Sequence, residues 1–225
     1  MSLIYTIFPN LVKFGAEFIK SIGDTCIMVI AAGIFSFFIG VFFGVVLTVT
    51  KKGGLLPNSI IYNVIDKVIN VVRSIPFIIF IVMVLPLSRL IVGTGIGVKG
   101  VVIPLILGTV PFFARQIETA IAEVDKGLIE AAQSMGSSPM EIIFRVYLKE
   151  SIPSITRVTM ITLVNLVGLT AMAGTVGGGG LGDFAIRYGY QQHMTDLTYA
   201  CVIVILIIVS IIQIIGNFII KKTTH

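Results

Sequence analysis

Charged residues are scarce in this 225-residue chain, making up 12% of it, whereas hydrophobic residues make up 56%. Soluble domains carry roughly 25% charged and roughly 45–50% apolar residues. So few charges cannot cover the surface of a water-soluble fold, and the long uncharged runs predict an integral membrane protein surrounded by lipid. The net charge of +5 is spread between these runs rather than gathered in one patch, which argues against nucleic acid as a partner.

Cysteine is rare as well, and tryptophan is absent. Cys26 and Cys201 both fall inside uncharged runs, where a thiol behaves as a small hydrophobic group, so the sequence predicts neither a disulfide framework nor a metal site. The first uncharged run, Thr25 to Thr50, is 26 residues long. A cleavable signal peptide has an apolar region of roughly 7–15 residues, so this run is expected to remain in the protein.

Acidic residues and histidine are missing from the middle of every long apolar run, and His193 and His225 are isolated. A proton-coupled carrier needs titratable groups along its route, so a secondary transporter or channel that works alone is the less favoured alternative. A membrane enzyme is disfavoured too, because no paired carboxylates, metal-spaced histidines or activated nucleophile occur. The sequence thus predicts a protein that is not itself an enzyme and holds no cofactor.

The apolar runs predict an all-α fold with five membrane-spanning helices, since about 20 apolar residues cross the hydrocarbon core. Arg73 and Lys99 interrupt the second and third runs near their ends, where long basic side chains can reach the interface. The predicted spans are Thr25–Thr50, Val68–Leu87, Ile96–Phe113, Val158–Gly182 and Leu197–Ile220.

The distribution of lysine and arginine predicts the orientation of these spans. With the C-terminus inside, 11 basic residues fall on the cytoplasmic side and 5 outside. The outer ones are Lys13, Lys20, Arg89, Lys99 and Arg187. An N-terminus outside and a C-terminus inside are therefore expected. Residues 1–20, in which Ile4, Phe8, Leu11 and Phe18 keep roughly helical spacing, are interpreted as an interfacial segment.

The longest hydrophilic stretch covers residues 115–157 and is cytoplasmic in this orientation. Asp125 is a suitable N-cap for a short helix, and Gly136 stands where a left-handed C-cap residue is expected. Ser138 and Glu141 then have the spacing of a capping box that starts a second helix. The pair predicts a compact knob for a partner's groove, although such capped helix pairs also occur without any docking role.

Several residues of this loop resemble the EAA loop of ABC-type importer permeases. They are Glu130, Ala131, Ala132, Gly136 and Pro153. The resemblance implies that the loop holds the helix that couples the permease to its ATP-binding subunit. ATP and Mg²⁺ would then be bound by that separate ATPase, in agreement with the glycine run at 177–180, which no Gly-Lys-Ser/Thr follows.

Three further segments resemble methionine importer permeases in particular: Arg73–Ile79, Arg89–Thr94 and Ala171–Gly182. The resemblance implies a type I importer fold, a homodimer in a bacterial inner membrane, two ATPase subunits and an extracytoplasmic binding protein. Methionine is the implied cargo, with another amino acid as the alternative. One departure is Leu148–Glu150, where such permeases tend to carry Leu-Pro-Glu, so the second helix of the loop is expected to be uninterrupted.

Other residues are candidates for packing and transport within a single permease domain spanning residues 1–225. Ser36, Gly40 and Gly44 recur every four residues, a stripe of small residues that allows close helix packing within the subunit or across a dimer. In the fourth span, Asn165, Thr170 and Met172 are candidates for the translocation pathway, with packing as the alternative. The glycine run 177–180 is interpreted as an unwound end of that span.

Overall fold

The computed structural model describes residues 8–223, and within this range the chain is helical apart from short turns. The α-helices are α1 (Pro9–Lys13), α2 (Gly15–Thr50), α3 (Ser59–Ser74), α4 (Phe77–Val92), α5 (Gly97–Ala122), α6 (Lys126–Ser134), α7 (Pro139–Ile142), α8 (Leu148–Glu150), α9 (Ile152–Gly174), α10 (Gly180–Phe184) and α11 (Thr195–Thr223). Two π-helical segments, Ile143–Tyr147 and Ala185–Tyr190, follow α7 and α10. The predicted all-α fold is confirmed for these residues.

Four of these helices are long and apolar enough to cross a membrane: α2, α5, α9 and α11. The bent pair α3 and α4 raises the number to five if it counts as one span. The second predicted span, Val68–Leu87, is therefore wrong as a continuous helix. Pro76 lacks an amide hydrogen and disfavours helical geometry at the residue before it, so Ile75 is extended, with a ψ of 126°.

The other predicted spans differ from the helices at their ends. The helix α2 begins at Gly15 rather than Thr25, so residues 15–20 continue into the first span instead of forming a separate segment. Residues 1–7 of the predicted interfacial segment, with Ile4, and the isolated His225 lie outside the described residues. The helix α9 ends at Gly174 rather than Gly182, which confirms the unwound end predicted there.

The chain divides into two compact units, each with its own apolar core. Unit 1 comprises the chain up to Phe35, Pro76–Gly108 and Leu163–Ile212. One of its cores lies among α2, α4, α5 and α9 and contains Met28, Ile81, Leu105 and Leu166, all fully buried. In a second core, the rings of Phe18 and Phe184 meet at a tilt of 58° with their centroids 5.3 Å apart. This core places α1 and the start of α2 against α10 and α11.

Unit 2 comprises Ser36–Ile75, Thr109–Thr162 and the chain from Gln213 onward. Its larger core joins the second half of α2, α5 and the segment after α7. The buried members are Val49, Phe113, Ile117, Ile121, Ile143 and Tyr147. The hydrophilic loop is thus packed directly onto two helices that enter the membrane.

The long helices differ in how much of their surface the chain itself covers. In the most apolar 18 residues of α5, 50% are buried within the chain. In the corresponding stretch of α11, 6% are buried. Because apolar surface on a membrane protein is expected to meet lipid or another membrane helix, α11 leaves much more surface for such contacts than α5 does.

Candidate functional site

The helix α6 starts as its sequence predicts. The Asp125 side chain accepts a hydrogen bond of 2.6 Å from the Gly127 amide, which satisfies one of the free amides at the helix start. Within α6, Glu130 and Ala131 are exposed, whereas Ala132 is buried. Glu130 also lines a cavity of about 230 Å³ together with Lys51 and Tyr147. The three EAA residues therefore lie on two faces of α6, with Glu130 and Ala131 on the exposed face and Ala132 on the buried one.

The turn after α6 depends on glycine. Gly136 has a φ of +78°, in the left-handed region that side-chain-bearing residues rarely adopt. Its amide donates to the Gln133 carbonyl (3.0 Å), and the Ser137 amide donates to the Ala132 carbonyl (3.1 Å). This pair of bonds is a Schellman motif, so the C-cap predicted at Gly136 is confirmed.

The predicted capping box at the start of α7 is also present. The Ser138 amide donates to the Glu141 carboxylate (2.9 Å), and the Glu141 amide donates to the Ser138 hydroxyl (3.4 Å). The amide of Ser138, followed by its hydroxyl, lowers the pKa of Glu141 below its usual value. Pro139 occupies the first turn, where no amide hydrogen is needed.

Beyond α7 the chain stays helical up to Glu150, as expected for an uninterrupted second helix, but part of it is not a regular α-helix. The backbone widens into the π segment Ile143–Tyr147, returns to α-helix in α8 and turns at Ser151 before Pro153 enters the first turn of α9. Tyr147 is buried in this segment, and desolvation raises the pKa of its phenol. The Ser151 hydroxyl is buried with no hydrogen-bond partner among residues 8–223.

The outer side of this helical knob, defined as residues 126–147, carries an unusual number of exposed apolar side chains. Its buried side anchors it through Ala132, Ile142 and Tyr147. The exposed residues are Leu128, Met135, Met140 and Phe144, with Met135 at 79% exposure. Exposed apolar patches on a hydrophilic loop are typical of protein docking surfaces, and flexible methionine side chains adapt well to a partner.

An ion-pair network between α3 and α5 was not predicted from the sequence. Arg115 lies within α5, which continues to Ala122, and its guanidinium pairs with Asp66 of α3 and with Glu118 one turn further along. Asp66 also accepts a 3.0 Å hydrogen bond from the Asn70 side chain. Asp66 and Arg115 are 49 residues apart, so no local pattern indicates their pairing.

The stripe of small residues lies against the same chain. A Cβ on Gly40 would overlap the Phe113 ring, and a Cβ on Gly44 would lie 2.5 Å from Ile117 Cγ2 and 2.9 Å from the Ala114 carbonyl oxygen. Ser36 is 1% exposed, and its hydroxyl has no partner in the described part of the chain. The stripe allows α2 and α5 to approach closely within unit 2.

The three pathway candidates on α9 occupy different surroundings. Asn165 and Met172 are exposed and stand seven residues apart, so they share one face of the helix. Thr170 is buried and donates a 2.7 Å hydrogen bond to the Val167 carbonyl of its own helix. The structure thus groups Asn165 with Met172 and separates both from Thr170.

After α9 the chain folds back on itself at its glycines. A Cβ on Gly174 would overlap the Asp183 amide, and one on Gly182 would overlap the Ala171 carbonyl. Between them, Gly177, Gly179 and Gly180 have positive φ angles near 80°. Bare backbone at Gly182 therefore lies directly against helix α9, beyond the unwound end that the sequence predicts for the run 177–180.

The described residues thus combine apolar helices long enough to cross a membrane with a capped knob that is packed onto two of them. The family of binding-protein-dependent transport system inner membrane components matches residues 36–224, so the chain belongs to this family.

Individual relatives and solved structures agree with this family. The chain is 46% identical over 202 residues to the "Probable D-methionine transport system permease protein MetI" of Vibrio cholerae, covering 90% of each chain. It is 43% identical to the "Methionine import system permease protein MetP" of Bacillus subtilis, covering 77% of this chain and 78% of the relative. A crystal structure of the MetNI methionine ABC transporter in an inward-facing conformation has a chain similar to this one, with 38% identity and a TM-score of 0.92 over 95% of this chain and 99% of that one.

Proposed function

We propose that this chain forms the translocation pathway of an ATP-driven importer for methionine, as one of two identical membrane subunits. ATP and Mg²⁺ are held by separate ATPase subunits, and this chain contributes neither a cofactor site nor a catalytic residue. The observation that carries the proposal is the knob at residues 126–147, whose buried side is fixed to the membrane helices while its outer side presents exposed apolar residues.

The knob suits a mechanical coupling role. Its two helices are held at a fixed angle by the Schellman turn at Gly136 and by the Ser138 capping box, so a push on one helix is passed to the other. The buried Tyr147 and Ile143 connect the knob to Phe113 and Ile117 of α5. When the ATPase subunits close, the loop at 115–157 moves with them and changes which side of the pathway is open.

Asn165 and Met172 are the proposed pathway residues. An asparagine amide exposed to lipid is costly, so the exposed face of α9 that holds Asn165 is expected to meet protein or water rather than lipid. Met172 on the same face can narrow the route as a flexible apolar side chain. Thr170 then has a packing role.

Methionine is proposed as the cargo because the relatives of this chain carry that substrate in their names. The spans hold no acidic residue near their centres to fix an amino group, so selection is assigned mainly to an extracytoplasmic binding protein. On the proposed orientation this partner docks at the side that holds the start of α2 and the glycine run at 177–180.

Substitution of Gly136 tests the coupling role. Gly136→Leu forces a branched side chain into a left-handed conformation, which redirects α7, whereas Gly136→Asn keeps that conformation accessible. Nothing lies within 4 Å of a Cβ at this position, so a Cβ itself meets no neighbour and the strain lies in the backbone. We expect the leucine variant to insert into the membrane but to lose ATPase co-purification or stimulation, and the asparagine variant to retain both.

Uptake into vesicles tests the cargo. The permease is reconstituted with its own ATPase and binding protein, and ATP-dependent accumulation of labelled methionine, histidine and glutamine is compared. Methionine uptake that needs both partners supports the proposal. Uptake of histidine or glutamine without methionine contradicts the cargo, and uptake without the ATPase favours an autonomous carrier.

A further inference from the structure

A cavity of about 450 Å³ lies within unit 1 beside the glycine run. Its walls come from the first turns of α2, the turn that starts α5, the glycines 177–180 and the chain from Asp183 to Tyr188. The volume falls in the roughly 300–1,000 Å³ range typical of small-molecule sites. We call it the glycine-loop cavity.

Hydrogen bonds fix the shape of the glycine-loop cavity. The Leu181 amide donates to the Thr25 hydroxyl (2.8 Å), and the Gly97 amide donates to the Gly177 carbonyl (2.8 Å). A Cβ on Gly180 would lie 2.7 Å from both Met28 Cε and Thr25 Oγ1, so this wall tolerates no side chain there. The cavity is therefore formed before any ligand arrives.

Charges of both signs line the cavity. Glu17, Lys20 and Asp24 follow one face of α2 at spacings of three and four residues. Within residues 8–223, none of the three has an ion-pair partner within 4 Å. Asp183 and Arg187 lie on another wall, where they pair with each other and the guanidinium carbon of Arg187 sits 5.2 Å from the Tyr188 ring centroid.

This arrangement matches a ligand that carries a cationic and an anionic group close together. Lys20 supplies a free cation, and Asp24 and Glu17 supply free carboxylates on the same face. Three carboxylates against Lys20 and Arg187 leave the wall with a net negative charge, which disfavours phosphates and other simple anions, while the unpaired Lys20 is available to an anionic group of the ligand. Ile96 and Val98 add apolar surface for a side chain.

We infer that the glycine-loop cavity is a binding site for the zwitterion of an α-amino acid. Lys20 pairs with the carboxylate, Asp24 and Glu17 pair with the ammonium group, and the side chain lies toward Ile96 and Val98. The inference rests on the proposed import function, because the proposed orientation makes this the side from which the substrate arrives. The membrane spans lack acidic residues at their centres. The charges that bind the amino acid are instead supplied near the start of α2.

Binding to the intact permease–ATPase complex in lipid nanodiscs, without binding protein, tests this site. Saturation-transfer NMR compares methionine, its methyl ester and its N-acetyl derivative, because each derivative lacks one of the two charges. We expect both derivatives to bind about tenfold more weakly or worse, the effect of losing one charge-assisted hydrogen bond.

Variants of the cavity sharpen the test. Lys20→Gln should abolish the preference for methionine over its methyl ester, and Asp24→Asn should reduce the preference over the N-acetyl derivative. Lys99→Gln is the matched control, since Lys99 is an exposed lysine outside the cavity wall. The double variant Lys20→Asp with Asp24→Lys keeps the net charge and should restore part of the binding, which separates charge recognition from misfolding.

Equal binding of all three compounds, or unchanged methionine binding in the Lys20 and Asp24 variants, would overturn the site. A loss of stimulation by the binding protein with unchanged methionine binding would also overturn it, since the cavity would then be a protein contact. ATP-driven methionine uptake by the wild-type transporter is measured in parallel. Uptake without binding in the cavity refutes this site alone, whereas the absence of uptake refutes the proposed function.

Discussion

Gly44 lies where α2 meets α5, and its lack of a side chain allows the two helices to pack closely. Gly44→Ala would place a methyl group 2.5 Å from Ile117 and 2.9 Å from the Ala114 carbonyl, and the backbone oxygen cannot rotate away. Overpacking of this kind costs about 1–3 kcal/mol. We expect thermal unfolding of the purified protein in detergent to shift downward accordingly.

Gly23 in the same helix provides the control for that prediction. It has no neighbour within 4 Å of a Cβ and is exposed. Gly23→Ala should raise stability by up to about 1 kcal/mol, because alanine is the better helix former. Equal effects of the two substitutions would show that helix propensity rather than close packing governs α2.

At the scale of one element, Ser138 decides whether α7 begins where it does. Ser138→Ala removes the hydroxyl that accepts a hydrogen bond from the Glu141 amide. The loss of such a cap costs about 0.5–2 kcal/mol of local helix stability. Amide hydrogen exchange at Met140, Glu141 and Ile142 should accelerate by roughly two- to thirtyfold. Coupled ATPase activity should fall in parallel, because a frayed α7 transmits force poorly.

The neighbouring Ser137→Ala is the matched control, because no side-chain hydrogen bond joins Ser137 to the described residues.

The capping box should also keep its stability in moderately acidic solution. Since the pKa of Glu141 is lowered by the Ser138 amide, the stabilisation is present above the ordinary pKa of a glutamate and is lost as pH falls through the lowered value. Slow exchange that persists in Ser138→Ala would contradict the capping role.

The elements also show how far local sequence predicts this structure. Asp125, Gly136 and Ser138 predict their caps correctly, because a cap depends on residues within one turn of the chain. The break at Pro76 has an equally local cause, but the apolar residues on both sides predict one uninterrupted span. The pairing of Arg115 with Asp66 depends on how two distant helices meet, which helical periodicity does not encode.

At the scale of the whole molecule, the predicted orientation in the membrane, with the N-terminus outside, rests on 11 basic residues placed inside against 5 outside. A variant without Cys26 and Cys201 receives single cysteines at Lys52 or Gln191, which are both exposed. Asn58 is avoided because its side chain caps α3. An impermeant thiol reagent applied to intact cells should label position 191 and spare position 52, and the reverse pattern would invert the orientation.

The absence of tryptophan allows a second test of the whole molecule, because one introduced tryptophan is then the sole reporter. Ile207 on α11 is 52% exposed, whereas Phe113 on α5 is 1% exposed. Brominated lipids should quench the fluorescence of Ile207→Trp and leave that of Phe113→Trp largely unchanged. Strong quenching at both positions would contradict the burial of Phe113 on α5.

The π segment at Ile143–Tyr147 has a consequence for how the length of this loop can vary. A π turn contains one residue more than an α turn, so the segment behaves as a one-residue insertion accommodated within a helix. Deleting one of its residues should convert the π turn to an ordinary α-helical turn. The helices on either side would keep the same buried and exposed faces. The regular α-helix α6 has no extra residue to lose, so a deletion before Ala132 would rotate this side chain out of the core. Gaps in the chains of related permeases are therefore expected to be tolerated in the π segment and excluded from the helix before it.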